Sequence, residues 1–458
     1  MVILLNASVG LNLLFQLSID TFMNLNLFAM KYKKLLHACL ISTTFILTQL
    51  IISCSSAIVR GIPEDGTGAY VTGKYRNLFL ENGHSQAEID AKINSAFQQL
   101  FHGDTSQTLY FEAGSNDNGP LAYLCDVLHN DVRSEGMSYG MMICVQMDKK
   151  TEFDALWNWA MTNMYISSPD HPSEGYFAWS ISREGVPNSE TPAPDGEEYM
   201  VMSLYFADHR WGSGEGIYNY KAWADTILTT MRHHPVKEGK AGGRNTTVGP
   251  MVSENAGMIL FVPDGGNDFT DPSYHLPAFY ELWARWGPDS ERDFWAAAAD
   301  TSRKFFVRAS HPVTGLSSDY ANYDGTPHFV PWNPNSVNFA YDSWRTASNW
   351  AVDWSWWQKD TSELMLSKRI QSFFASQGVS TYGSVFKISG EVISPQHRSG
   401  LASANAVVSL AADHKTAAVF VEDFWNAPVP QVFGDRYYDG TLYMMNLLHC
   451  AGQYRIWK

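Results

Sequence analysis

The sequence predicts one large, mainly helical domain, and three observations carry that expectation. Apolar residues recur at helical spacing along most of the chain. Stretches rich in Gly, Pro and aromatic residues separate the periodic segments. From residue 77 to 458 there is no low-complexity linker, charge block or composition break. The first helix is marked by Ser85-Gln86-Ala87-Glu88, a capping-box pattern, ahead of Ile89, Ile93, Phe97 and Leu100. Further helices are predicted over 136–147, 152–164, 197–209, 220–232, 274–286, 291–309, 345–357, 363–377, 401–412, 416–425 and 441–451. Asp360-Thr361-Ser362-Glu363 offers a second capping box. Long loops are expected over 176–196, 248–273 and 311–338. Short and long connections alternate, as they do where paired helices close into a ring; periodicity by itself supports only the mainly helical class.

The chain has 458 residues, of which 45% are hydrophobic, including 16 Trp, 22 Tyr and 25 Phe. That is enough apolar material for a large core, with rings to spare for a surface cleft. The net charge of −15 argues against nucleic acid or another polyanion as partner, because phosphate recognition needs a basic footprint. The cysteines are Cys39, Cys54, Cys125, Cys144 and Cys450. Their spacing fits no zinc pattern, and the three beyond the N-terminal region are expected as buried free thiols. His233-His234, just before a proline, is expected on the surface.

Met30-Lys31-Tyr32-Lys33-Lys34 followed by an apolar run over 35–52 has the layout of a secretory signal. The run ends in Ile51-Ile52-Ser53-Cys54, which resembles a bacterial lipoprotein box with Cys54 as the lipidated residue. The expectation is an exported protein, anchored to a bacterial membrane through lipid at Cys54 or released to the periplasm or cell surface. Residues 1–29 are expected to be an upstream extension from a mis-assigned start. Residues 30–53 would be the signal, 54–74 a tether, and 75–458 a single catalytic domain.

Three distant segments each offer a carboxylate beside glycine or aromatic residues: Glu135 in Asp131-Val132-Arg133-Ser134-Glu135-Gly136, Asp195 in Pro192-Ala193-Pro194-Asp195-Gly196, and Asp342 in Tyr341-Asp342-Ser343-Trp344-Arg345. Carboxyls at different depths among aromatic rings suit glycosidic-bond hydrolysis, in which one acid stays protonated to donate and another stays ionised to activate water. Glu135, followed by Met137, Met141 and Met142, suits the protonated role. Each position also has an ordinary explanation: a first-turn glutamate at 135, an N-cap at 195, and a helix-start ion pair between Asp342 and Arg345.

The segment 131–142 resembles the signature of glycoside hydrolase family 8 nearly residue for residue. Gly175-Tyr176-Phe177-Ala178-Trp179, Pro192 to Tyr199, Asp271-Pro272-Ser273-Tyr274 and Tyr437-Tyr438-Asp439-Gly440 match stretches of that family's xylan-active members. The resemblance implies an all-α fold, an (α/α)6 barrel with long aromatic-rich loops forming a substrate cleft. It implies Glu135 as general acid, Asp342 as general base, and Asp195 as an auxiliary carboxylate at the cleaved sugar. Tyr274 would hold the attacking water, and Trp179 would stack on a xylose ring. Arg345, three residues beyond Asp342, is expected to orient it. No cofactor or metal is implied.

Within the family the likeness is to reducing-end xylose-releasing exo-oligoxylanases, which act by inversion on β-1,4-xylosidic bonds of xylo-oligosaccharides. His397 falls where those members narrow the leaving-group side of the cleft, flanked here by Gln396 and Arg398 in place of Leu and Pro. The alternatives are an endo-β-1,4-xylanase of the same family and, from another class, a non-catalytic surface glycan-binding lipoprotein.

Overall fold

The computed structural model describes residues 64–412 and 415–458. Its long helices are α1 (Gln86–His102), α2 (Ser134–Gln146), α3 (Lys150–Asn163), α4 (Pro194–Trp211), α5 (Tyr220–His233) and α6 (Pro277–Trp286). They continue as α7 (Arg292–Ala309), α8 (Ser343–Trp357), α9 (Ser362–Gln377), α10 (Ser399–Val407), α11 (Lys415–Asn426) and α12 (Arg436–Cys450). The even-numbered helices form an inner ring. In it α12 packs on α2, α2 on α4, α6 on α8, α8 on α10 and α10 on α12. Between α4 and α6 the ring is closed by the Tyr280 hydroxyl, which donates to Glu198 at 2.7 Å, and by the Tyr199–Phe279 ring contact. Each odd-numbered helix covers an inner neighbour from outside. This is the (α/α)6 barrel.

The two layers differ in how their sequences are patterned. On α1 only one stripe is buried, with Ile89, Ile93, Phe97 and Leu100 in it, as an outer helix with one wet face requires. Every residue of α2 except Glu135 is buried. A helix buried all round has neighbours on every side, so a lone, only partly buried acid at its start stands out.

The capping box at Ser85 and Glu88 forms. The one expected at Asp360 does not. The Asp360 carboxylate accepts from the Ser362 amide at 2.9 Å, but Glu363 is buried toward Asp353 instead of reaching back. The helix predicted from residue 274 starts at Pro277, and Tyr274 lies on a short 3-10 turn before it. The reason is the proline: its ring favours the first helical position and keeps Leu276 out of the helical region. His234 is buried and stacked on Tyr176 at 4.6 Å, contrary to the surface expectation, while His233 pairs with Glu291 at 2.9 Å. That partner comes from a loop 58 residues away, beyond any local pattern. Cys125, Cys144 and Cys450 are buried free thiols, as expected.

The part of the expected tether that is described is docked. Asp65 pairs with Arg285 at 2.8 Å, the Thr67 amide donates to the Trp357 carbonyl at 3.0 Å, and Ala69–Thr72 is a helical turn with Ala69 buried. Cys54 and the signal lie outside the described residues.

Candidate active site

The first turns of the inner helices and the loops before them meet at one end of the barrel. They line a cleft of about 720 Å³, in the range of ligand sites, which holds Glu135, Asp195, Tyr274 and Asp342 together. Four of the sequence-predicted residues thus come from four different helix starts into one cavity, and Trp179 lies on its wall.

Glu135 is the second residue of α2. The preceding strand Asp131–Arg133 pairs antiparallel with Ser180–Ser182, and the Ser134 amide donates to the Trp179 carbonyl at 3.0 Å. That small sheet fixes Trp179 beside Glu135. Gly136 is needed for close approach, since a Cβ there would lie 2.6 Å from the Tyr437 ring. With the ring so placed, the Tyr437 hydroxyl donates to Glu135 Oε1 at 3.1 Å. Asp195 is the second residue of α4, after Pro194. A Cβ on Gly196 would lie 2.6 Å from the Ser134 Cβ, so this glycine lets the first turns of α2 and α4 touch. Asp342 immediately precedes α8.

Arg345 ties these acids together, and more broadly than its sequence neighbour alone predicts. Its Nη1 donates to Glu135 Oε2 at 3.2 Å, to Asp195 Oδ2 at 3.2 Å and to the Tyr139 hydroxyl. Its Nη2 donates to Asp342 Oδ1 at 2.9 Å and to Ser273 Oγ at 3.0 Å. Glu135 and Asp342 are therefore held at opposite ends of a single guanidinium. An inverting acid and base need a separation of about 6.5–9.5 Å so that a water fits between them.

One cation for three carboxylates sets the protonation states. Burial pushes the Glu135 carboxyl up to about 8; Arg345 opposes the shift, and Asp195 and Asp342 reinforce it. Burial also raises Asp195, to about 6, against the pull of Arg345. Such an arrangement supplies a carboxylic acid that keeps its proton near neutral pH, a short distance from a more exposed carboxylate.

Several contributors have no single-residue signal in the sequence. Asp271 and Asp319 are buried near Asp342, and burial together with the Asp342 charge raises both well above the usual carboxylate range. The Asp271 carboxylate accepts from the Ser273 amide at 2.7 Å, and that serine's hydroxyl contacts Arg345. The Tyr438 hydroxyl reaches Asp342 Oδ1 at 3.4 Å. The Tyr437-Tyr438 pair is legible as part of a motif, but its contacts with two different acids are not. His397 does not line the cavity. Its ring sits between the Tyr382 carbonyl at 3.0 Å and Asp423 at 3.4 Å, and the wall position is taken by Arg398, paired with Asp435 and Asp439.

Residues 126–452 match the family of glycosyl hydrolases family 8. The chain belongs to this family. It is a glycoside hydrolase. It is 44% identical to the reducing-end xylose-releasing exo-oligoxylanase Rex8A of Paenibacillus barcinonensis over 86% of this chain and 99% of that one. A family 8 protein of Teredinibacter turnerae, solved as a xylobiose complex, superposes with a TM-score of 0.84 at 52% identity, covering 85% of this chain and all of that one. A xylanase of the same organism, solved as a catalytic mutant with xylohexaose, gives 0.83 at 51% identity with the same coverage of this chain.

Proposed function

We propose that this glycoside hydrolase cleaves β-1,4-xylosidic bonds of xylo-oligosaccharides with inversion, releasing xylose from the reducing end. The observation that carries the reading is the sharing of Arg345 among Glu135, Asp195 and Asp342, which joins a proton-holding acid to a second carboxylate across a cleft. Glu135 gives its proton to the glycosidic oxygen as the C1–O bond breaks. A water on the opposite face of the sugar attacks C1 and passes a proton to Asp342, so the pair exchanges protonation states and resets through solvent. Tyr274, buried beside Asp342, holds that water, and Asp195 binds the sugar at the cleavage point. Trp179 offers a ring face to a xylose unit.

Reducing-end release is supported by the name of the Paenibacillus relative and its near-complete coverage. The position of His397 away from the cavity wall favours a second reading, endo-cleavage, and so does the likeness to the xylanase bound to xylohexaose. A time course on xylotriose and xylotetraose, followed by chromatography and by NMR of the new anomeric centre, separates the readings. Xylose as the first product, with the new reducing end of the shortened oligosaccharide formed as the α-anomer, is the expected result. Xylobiose from xylotetraose as the first product favours endo action, and a β-anomer at the newly formed reducing end overturns the inverting mechanism.

We also propose export, with lipid attached at Cys54. Fatty-acid labelling of the expressed protein should be abolished by Cys54→Ala; labelling that survives the substitution overturns the anchor.

A further inference from the structure

The barrel axis below Arg345 holds a second cavity, of about 30 Å³, that shares no lining residue with the cleft. Arg345 lines it at the cleft end, and Ser348, Asn349 and Val352 follow on the same face of α8 over two turns. Asn446 of α12 and Tyr454 line it as well. Two buried polar atoms of these residues have no hydrogen-bond partner among the described residues: Arg345 Nε and the Tyr454 hydroxyl. Their residues are only 6% and 2% exposed. The Nη atoms of Arg345 are taken up by the three acids, Tyr139 and Ser273, so Nε–H is the donor left over. The side-chain nitrogen of Asn349 donates to the Ser273 and His275 carbonyls, and that of Asn446 to Ser403 Oγ. Two amide oxygens are thereby left to accept. Buried donors and acceptors are almost always paired, with ordered water where protein groups do not reach.

We infer that this axial cavity binds water, about two molecules by its volume, linking Arg345 Nε to the Tyr454 hydroxyl, and that Tyr454 is thereby a positioning residue for Arg345. The inference rests on the proposed acid and base, because Arg345 acts through its contacts with Glu135 and Asp342. A planar guanidinium gripped only along its Nη edge can still tilt, and a hydrogen bond from behind at Nε fixes its plane. The surroundings select a small neutral occupant. The Arg345 cation repels a metal ion, and the three carboxylates already gathered on that cation disfavour an anion. The volume is far too small for a sugar ring.

The test joins a crystal structure of the wild type, at a resolution that shows ordered water, to the kinetics of Tyr454→Phe on xylotetraose. The wild type should show a water about 2.7–3.2 Å from Arg345 Nε. Tyr454→Phe keeps the ring that stacks on His449 and removes only the hydroxyl. It should lower kcat about three- to tenfold and leave KM unchanged, because Arg345 holds the acids and not the sugar. Glu135 is faced by Arg345, Arg133, Asp195, Asp342 and Tyr437, and of these only Arg345 lines the cavity. The alkaline limb of the pH–rate profile should therefore move to higher pH in the variant, a change that a loss of stability alone does not produce. A dry cavity overturns the site. A hydrated cavity with an unchanged kcat, or with a limb that stays in place, overturns the positioning role of Tyr454. A wild type that cleaves no xylo-oligosaccharide overturns the proposed substrate and that role together, whereas the density judges the water site by itself.

Discussion

Helix α8 meets acids at two levels, and the two levels are treated differently. At its start Asp342 shares Arg345 with Glu135 and Asp195. About three turns further down, Asp353 is gripped by Arg303 through two contacts of 2.7 and 2.9 Å. The same arginine holds Glu281 at 2.8 Å, and Glu281 is also met by Arg285 and Lys359. Burial opposes ionisation of Glu281, yet these three cations outweigh it and hold its carboxyl below the usual range. Glu363, buried against Asp353, is the exception at that level. One level thus surrounds an acid with cations and keeps it charged. The other spreads one cation over several acids and keeps a proton in place. Burial alone does not make a site reactive; the ratio of partners does.

That contrast can be broken experimentally. The largest effect is expected from Glu135→Gln or Asp342→Asn, each lowering kcat about 10²–10⁴-fold on xylo-oligosaccharides while circular dichroism shows an intact fold. Full activity in either variant would mean that the wrong acids are named. Arg345→Lys should follow, with kcat/KM down about 10²-fold, because a compact ammonium cannot reach both ends of the acid–base pair. Weaker cationic compensation raises Glu135 further, so the alkaline limb of the pH–rate profile should move to higher pH; an unmoved limb contradicts the shared-cation account.

Glu281→Gln should leave that limb alone and cost about 3–5 kcal/mol in denaturant unfolding, because it leaves buried cations unmatched. A depressed carboxyl stabilises the fold above its unfolded value, so the penalty should be full near neutral pH and shrink as pH falls below about 4. Glu135 has the opposite sign. Its folded value is raised, so the wild type loses stability as pH rises from about 4.3 toward about 8. Glu135→Gln should therefore be the more stable protein at pH 8, by about 1 kcal/mol or more, and no different at pH 4. Equal stability at both values would remove the case for a proton held at Glu135.

Much of the helical content was legible because an outer helix such as α1 carries one apolar stripe and its start is marked by the capping box at Ser85. The ring itself was legible only through motif resemblance, since a spacing pattern does not say which helix faces which. Of the site, the three acids could be found by their glycine and aromatic neighbours. What could not be found were relationships between distant segments. Arg345 looked like a partner of Asp342 alone, and nothing in residues 342–345 signals Glu135 or Asp195. Asp271 is visible in the sequence only as part of the Asp271-Pro272-Ser273-Tyr274 stretch, and its proximity to Asp342 needs the folded chain. His397 failed for the same reason in reverse: its sequence position suggests the cleft, but Tyr382 and Asp423 hold it elsewhere. The short strands that fix Trp179 beside Glu135 are three residues long, too short for alternation to show.

The spread of the reactive groups along the chain, from Glu135 to Tyr437, has a consequence for how activity first arises during folding. Each group rides on a separate helix start, so no contiguous half of the polypeptide contains a working set. Catalysis appears only with the last docking event that closes the circle. After dilution from denaturant, helical signal should return before turnover does, and the lag between them times ring closure.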